Sequence, residues 1–112
     1  MRFLFLVCTD ETAEPYDAAD DNIETWVSEL DARGARVIGD RLRPNADAIA
    51  VKRRGGKVVV SDGPFAEAKE VIGGFDVIDC ANRDEAIEIA SKHPMARFGQ
   101  IEIREFWPFG DD

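Results

Sequence analysis

The sequence predicts an α+β domain whose elements run β, α, β, hairpin, β, α, β. Three observations carry that reading. Two stretches repeat apolar residues at helical spacing. Around them lie short apolar runs, bounded by Gly, Pro, Asn or Asp, that read as strands. The doublet Gly55-Gly56 between two such runs is a hairpin signal. At 112 residues the chain fits one domain over residues 1–112 and can bury a core of its own.

Residues 3–8, Phe-Leu-Phe-Leu-Val-Cys, are apolar on both alternating faces, as in a strand covered on both sides. An acidic loop with Pro15 follows. A helix is expected over residues 18–33, because Ile23, Trp26, Val27 and Leu30 form one stripe. Asp17 or Asp20 can cap its start, and Gly34 after Arg33 suits its end. Residues 35–42 read as a strand centred on Val37 and Ile38, broken by Arg43-Pro44-Asn45. Residues 46–53 and 57–60 form the two arms of the hairpin. Residues 75–80 are the next strand, with Val77 and Ile78 on opposite faces. The second helix spans residues 83–92. Asn82 stands three residues before Glu85 at its start, and Ala86, Ile89, Ala90 and His93 share a stripe. Pro94 ends it. The last strand covers residues 100–106, with Ile101 and Ile103 on one face and Glu102 and Arg104 on the other.

Without the hairpin the order is βαββαβ, a ferredoxin-like arrangement. Two helices cover one face of such a sheet, yet the first strand is apolar on both. A second copy of the chain is the simplest cover, so a homodimer with a cleft between two sheets is expected. The aromatic tail of Phe106, Trp107 and Phe109 is expected to pack on the partner or over the cleft mouth.

Composition narrows the function. The chain is 45% hydrophobic and 33% charged, with a net charge of −9. Nucleic-acid binding needs a basic footprint, and an anionic membrane surface would repel the chain, so neither is expected. The apolar start is shorter than a signal-peptide core and no run is long enough to span a bilayer, which makes the cytoplasm the default. Cys8 and Cys80 read as small buried residues rather than a redox pair, and without nearby histidines they make no zinc site. No metal site and no cofactor are expected, since ligand clusters, a nucleophile elbow and a dinucleotide glycine fingerprint are all missing.

The densest motif runs from Asp62 to Phe75: Asp62-Gly63-Pro64-Phe65, then Glu67, Lys69 and Glu70, then Gly73-Gly74. Gly63 and Gly74 tolerate backbone angles that other residues resist, and Pro64 fixes its own φ. The result is a shaped, charged connection, where sites tend to sit. Asp62 against Pro64 and Phe65 would be a desolvated general acid or base; alternatively it hydrogen-bonds the backbone of its own turn. Phe65 is expected to be a buried anchor. Glu67, Lys69 and Glu70 could bind a polar ligand, or join a structural network with Glu102 and Arg104. His93, the single histidine, could be an acid–base group, or a protonated side chain settled by a helix C-terminus. Lys52, Arg53, Arg54 and Lys57 lack P-loop spacing and read as a solvated hairpin tip.

The motif Asp62-Gly63-Pro64-Phe65-Ala66-Glu67, with Lys69-Glu70 and Gly73-Gly74-Phe75, resembles the DGPF branch of the YCII-related proteins. Met1-Arg2-Phe3-Leu4, Leu42-Arg43-Pro44, Asp84-Glu85-Ala86 and Ile101-Glu102-Ile103-Arg104 extend the likeness along most of the chain. The resemblance implies a ferredoxin-like fold of the dimeric α/β-barrel group. In the broader group a His and an Asp in the cleft are suggested as acid–base residues. This chain has no histidine in its first half, so that pair does not carry over, and Asp62 is carried on the motif alone. The DGPF branch is often found beside extracytoplasmic-function sigma factors. Two functions follow as expectations. One is a small-molecule binder or enzyme using Asp62 in a cleft of the homodimer. The other is a non-catalytic interaction module linked to a sigma-factor system.

Overall fold

The computed structural model describes residues 1–63 and 71–111. Strand β1 is Arg2–Cys8, followed by a short 3-10 turn at Ala18–Asp20 and helix α1, Ile23–Ala32. Strand β2 is Arg36–Arg41, the hairpin strands are β3, Ile49–Arg54, and β4, Lys57–Asp62, and β5 is Ile72–Asp79. Helices α2, Arg83–Ser91, and α3, Pro94–Phe98, precede β6, Gln100–Glu105. The main sheet has the order β2-β5-β1-β6, and β3 with β4 forms a separate two-stranded sheet. Every neighbour in the main sheet is antiparallel. This is the ferredoxin-like α+β fold with an inserted hairpin.

Phe3 and Phe5 of β1 point to one face of the sheet and join Ile78, Trp26, Leu30, Ala86, Ile89 and Ala90 in the core. Both long helices therefore lie on that face. Ile101 and Ile103 pair with Val7 and Phe5 and pack against the same core. Trp26 bridges the helices, its Nε1 donating to the Ile89 carbonyl at 2.9 Å. The opposite face carries Leu4 and Leu6 beside Val77 and Phe75, all half-buried. Glu102 and Arg104 share that face, opposite Leu6 and Leu4.

The expected first helix is interrupted. Asp17 caps the 3-10 turn through the Ala19 amide, and Asp21 accepts from the Ile23 amide, so Asp21 and Asn22 break the helix before α1. Short polar side chains that bond the backbone compete with helical continuation. Residues 45–47 form a 3-10 turn after Pro44 rather than the start of a strand. Gly55 and Gly56 hold φ of +56° and +75°, the positive pair a two-residue hairpin turn requires. Asn82 caps α2, its Oδ1 accepting from the Glu85 amide at 2.9 Å. Pro94 opens α3 instead of closing α2, which stops at Ser91. Cys8 is buried and Cys80 half-buried, and neither is in a disulfide. Among the described residues no helix is long and apolar enough to cross a membrane.

Candidate functional site

Where the C-terminal end of β1, the middle of β2 and the start of β5 converge, a cleft of about 440 Å³ opens beside α1 and α3. The local backbone makes the room. Val7 pairs with Gly74 and Cys8 with Ile72, so Gly73 bulges out of the ladder. A Cβ at Gly74 would come within 3.0 Å of the Asp40 carbonyl, so glycine permits the close β2–β5 contact there. Val7, Ile23, Val27 and Phe75 supply apolar wall, and the polar side chains are Thr9, Arg36, Asp40, Arg41, Asp76 and His93.

Asp76 is the central group. Strand alternation places it on the face of Gly74 and Ile78, toward the core, and it is 6% exposed. Arg36 Nε donates to Asp76 Oδ1 at 2.9 Å, and Arg36 Nη2 donates to the Gly39 carbonyl at 2.8 Å. A third arm, Nη1, lies 3.6 Å from Asp31. The guanidinium is thus engaged on all sides, and its role is to hold the carboxylate. The two partners respond in opposite senses. Burial pushes the Asp76 carboxyl above its ordinary value, and the hydrogen bond and charge of Arg36 only partly offset this. For Arg36, burial works against the charge, but Asp76 and Asp31 outweigh it and hold the guanidinium above its ordinary value. Side-chain exposures of 8% for Asp76 and 19% for Arg36 explain why desolvation weighs more on the acid. Asp76 Oδ2 has no hydrogen bond among the described residues, and Asp76 lines the cleft.

His93 is 5% exposed and caps α3. Its Nδ1 accepts from the Met95 amide at 3.0 Å, which leaves the proton of the neutral ring on Nε2. Trp26 meets the ring edge-on, with centroids 4.6 Å apart. Burial pulls its pKa down to about 4, with Asp21 acting weakly in the other direction. The sequence reading of a protonated histidine at a helix C-terminus is corrected here. The ring begins the next helix, inside the core, and is neutral. His93 lines the cleft, and its Nε2–H has no hydrogen bond among the described residues.

The other expected residues are spread out. Gly73 and Gly74 line the cleft. Asp62 ends β4, is exposed, and has no hydrogen bond to its own turn among the described residues. Gly63 does not hold a positive φ. It is instead wedged against backbone, where a Cβ would lie 2.6 Å from the Asn45 carbonyl oxygen. Pro64, Phe65, Glu67, Lys69 and Glu70 lie outside the described residues. Glu102 and Arg104 stand 3.8 Å apart on the open sheet face, largely exposed, where such a pair contributes little. Phe106, Trp107 and Phe109 are exposed and do not line the cleft; Trp107 Nε1 donates to the Asp111 carbonyl. A second, larger groove of about 800 Å³ runs between α1 and α2. Its polar lining, Glu29, Arg33, Asp84, Glu85, Glu88 and Lys92, lacks a buried ionisable group. Sequence reasoning missed Asp76 and Arg36. The signal for Asp76 was present, because a charge shared the strand face of Ile78. Arg36 carried no signal, since its partner is forty residues away.

The YCII-related domain family model matches residues 1–110. An uncharacterized protein of Rhizobium meliloti (strain 1021), R00369, is 48% identical over 66 residues, covering 57% of this chain. The match spans about half of that relative, 53% of its length. Among solved structures, the chain is similar to the 5-chloro-2-hydroxyhydroquinone dehydrochlorinase of Burkholderia phenoliruptrix AC1100 in complex with 2,5-dihydroxybenzoquinone. That likeness has 16% identity and a TM-score of 0.47 over all of both chains.

Proposed function

This chain belongs to the YCII-related domain family, and from that premise we propose that it is a small-molecule binder with acid–base capability, centred on Asp76 and His93. The observation that carries the reading is a desolvated carboxylate and a neutral histidine lining one cleft. Pairs of titratable groups set apart by their environments mark acid–base sites. Asp76 Oδ2 would accept a proton from a hydroxyl or from an acidic C–H. His93 Nε2–H would hydrogen-bond a carbonyl or the oxyanion it becomes, acting as donor rather than base because Nδ1 is committed to the backbone. Arg36 is the positioning residue that fixes the carboxylate. The apolar wall and a volume of about 440 Å³ suit a small, mostly apolar, oxygen-bearing ligand.

The motif carboxylate Asp62 was the sequence's choice for this role. We assign the role to Asp76 because it is buried in the cleft, whereas Asp62 is exposed on the hairpin. The reading includes a homodimer formed through the open sheet face, supported by the half-buried Leu4, Leu6, Phe75 and Val77 there.

Amide NMR titration with a panel of small hydroxy- and keto-acids and phenols tests the binding site. Shifts are expected to cluster at Gly39, Gly73, Gly74 and Met95, and to weaken in Asp76→Asn with the fold retained. A panel that perturbs no cleft amide, or perturbs them equally in Asp76→Asn, contradicts the assignment.

A further inference from the structure

The cleft holds two arginines in different situations. Arg36 is fully engaged with Asp76, the Gly39 carbonyl and Asp31. Arg41, the last residue of β2, also lines the cleft, but it makes no hydrogen bond or ion pair among the described residues. The strand register says where it stands. Val7 and Arg41 both pair with Gly74, and in the adjoining row Phe5 and Gly39 both pair with Asp76. Directly paired residues share a face, so Arg41 lies on the face of Asp76. The two are diagonal neighbours, whose β-carbons stand about 7–8 Å apart. The other corners of that square are Gly39 and Gly74, which carry no side chains. Arg41 is exposed and Asp76 buried, so the diagonal runs from the mouth of the cleft to its floor.

Thr9 flanks the mouth from the β1 side, across β5 from Arg41. Its Oγ1 accepts from the Val71 amide at 2.9 Å, and its own O–H donates to no described residue. The chain has 23 acidic against 14 basic residues, so carboxylate partners are plentiful, yet none of those described closes on Arg41. The net charge of −9 repels anions at long range, so an anionic ligand is retained only where a cation meets it directly.

We infer that the cleft takes a small monocarboxylic acid, with Arg41 and Thr9 holding its carboxylate at the mouth and its proton-bearing group turned toward Asp76. The planar guanidinium fork matches a carboxylate through two parallel hydrogen bonds. Val7, Ile23, Val27 and Met95 line the same cleft and suit an aliphatic or aromatic body. The inference rests on the acid–base reading and deepens it: Asp76 acts on the proton, and Arg41 selects the molecule that carries it. The cleft then separates an acid from a neutral ester of nearly the same shape.

The test titrates the full chain at neutral pH and fixed ionic strength with 4-methyl-2-oxopentanoate and its methyl ester, and with 4-hydroxybenzoate and its methyl ester. Binding is read from the amide shifts of Gly39, Gly73 and Gly74. At least one acid should bind about tenfold or more tightly than its own ester, the scale of a charge-assisted hydrogen bond. Arg41→Gln should abolish that preference and leave the ester's affinity unchanged. Arg41→Lys should keep part of it, because a point charge remains without the fork. Added salt should weaken the acid and not the ester. Arg41 is exposed at a strand end, so both variants should keep the wild-type melting temperature and main-sheet spectrum. Acid and ester binding the cleft equally, or an acid preference that survives Arg41→Gln, overturns the carboxylate subsite and leaves the acid–base cleft standing. If neither pair of compounds shifts any cleft amide, the cleft and its subsite fall together.

Discussion

The buried Arg36–Asp76 pair makes the stability of the fold depend on both residues at once. Removing one member of a buried pair usually costs about 3–5 kcal/mol, because the other charge is left unpaired. Arg36→Met should therefore destabilise strongly at neutral pH. The loss should shrink on mild acidification, since protonating Asp76 removes the stranded charge. Arg36→Met/Asp76→Leu should recover much of the stability, and chemical denaturation at two pH values checks all three statements. Gly39 is tied to the same pair, because a Cβ there would lie 2.0 Å from Asp76 Oδ1 and 2.7 Å from Arg36 Nη2. Gly39→Ala should cost about 1–3 kcal/mol, the range for overpacking. His93 gives a pH signature of opposite sign to a raised group. Its folded pKa is depressed to about 4 from 6.5, so its contribution is complete above 6.5 and is lost as pH falls toward 4. At about 1.4 kcal/mol per pH unit, the full loss is on the order of 3 kcal/mol. Asp76, raised by burial, acts against it at the acid end, where its protonation favours the fold. A denaturation series from pH 8 to pH 4 in wild type and His93→Gln checks this, and the variant should show a flatter profile.

At the scale of elements, much was legible because the signals are local. Apolar spacing marked α1 and α2, the glycine pair marked the β3–β4 turn, and alternation assigned Ile101 and Ile103 to the core face of β6. The strand 75–80 had Val77 and Ile78 on opposite faces, which already aligned Asp76 with Ile78. Its significance was hidden because it depends on β2 lying beside β5, in a register shifted between Arg36 and Ile38. His93 was misread because its helix stripe continues past Ser91, while the backbone turns at Lys92 and begins α3. Gly63 was correctly singled out, but for conformation rather than proximity. Gly63→Ala should destabilise by more than about 0.5 kcal/mol, beyond the usual surface tolerance, because the Asn45 carbonyl is backbone and cannot swing aside. Thermal unfolding of the variant measures it, and an unchanged melting temperature would contradict the steric reading.

Among the described residues of the whole molecule, the hairpin and the aromatic tail hold the most exposed runs of large apolar side chains, and the free sheet face is half-buried. Phe106 still closes the sheet edge, its amide donating to the Arg2 carbonyl at 2.9 Å, while Trp107 is 79% exposed. Deleting residues 107–112 should leave the monomer's sheet intact and weaken self-association if the tail packs on a partner. Sedimentation of the truncated chain at micromolar concentration distinguishes this from a tail that contributes nothing, for which the affinity would not change.

The central claim is that Asp76 is a desolvated carboxylate opening onto a ligand cleft, and its own titration tests that most directly. Carboxyl-carbon NMR should place its midpoint above the ordinary value of about 3.9 for aspartate. It should move higher still in Arg36→Met, where the opposing charge is gone. A midpoint at or below the ordinary value in the wild-type chain would contradict the account.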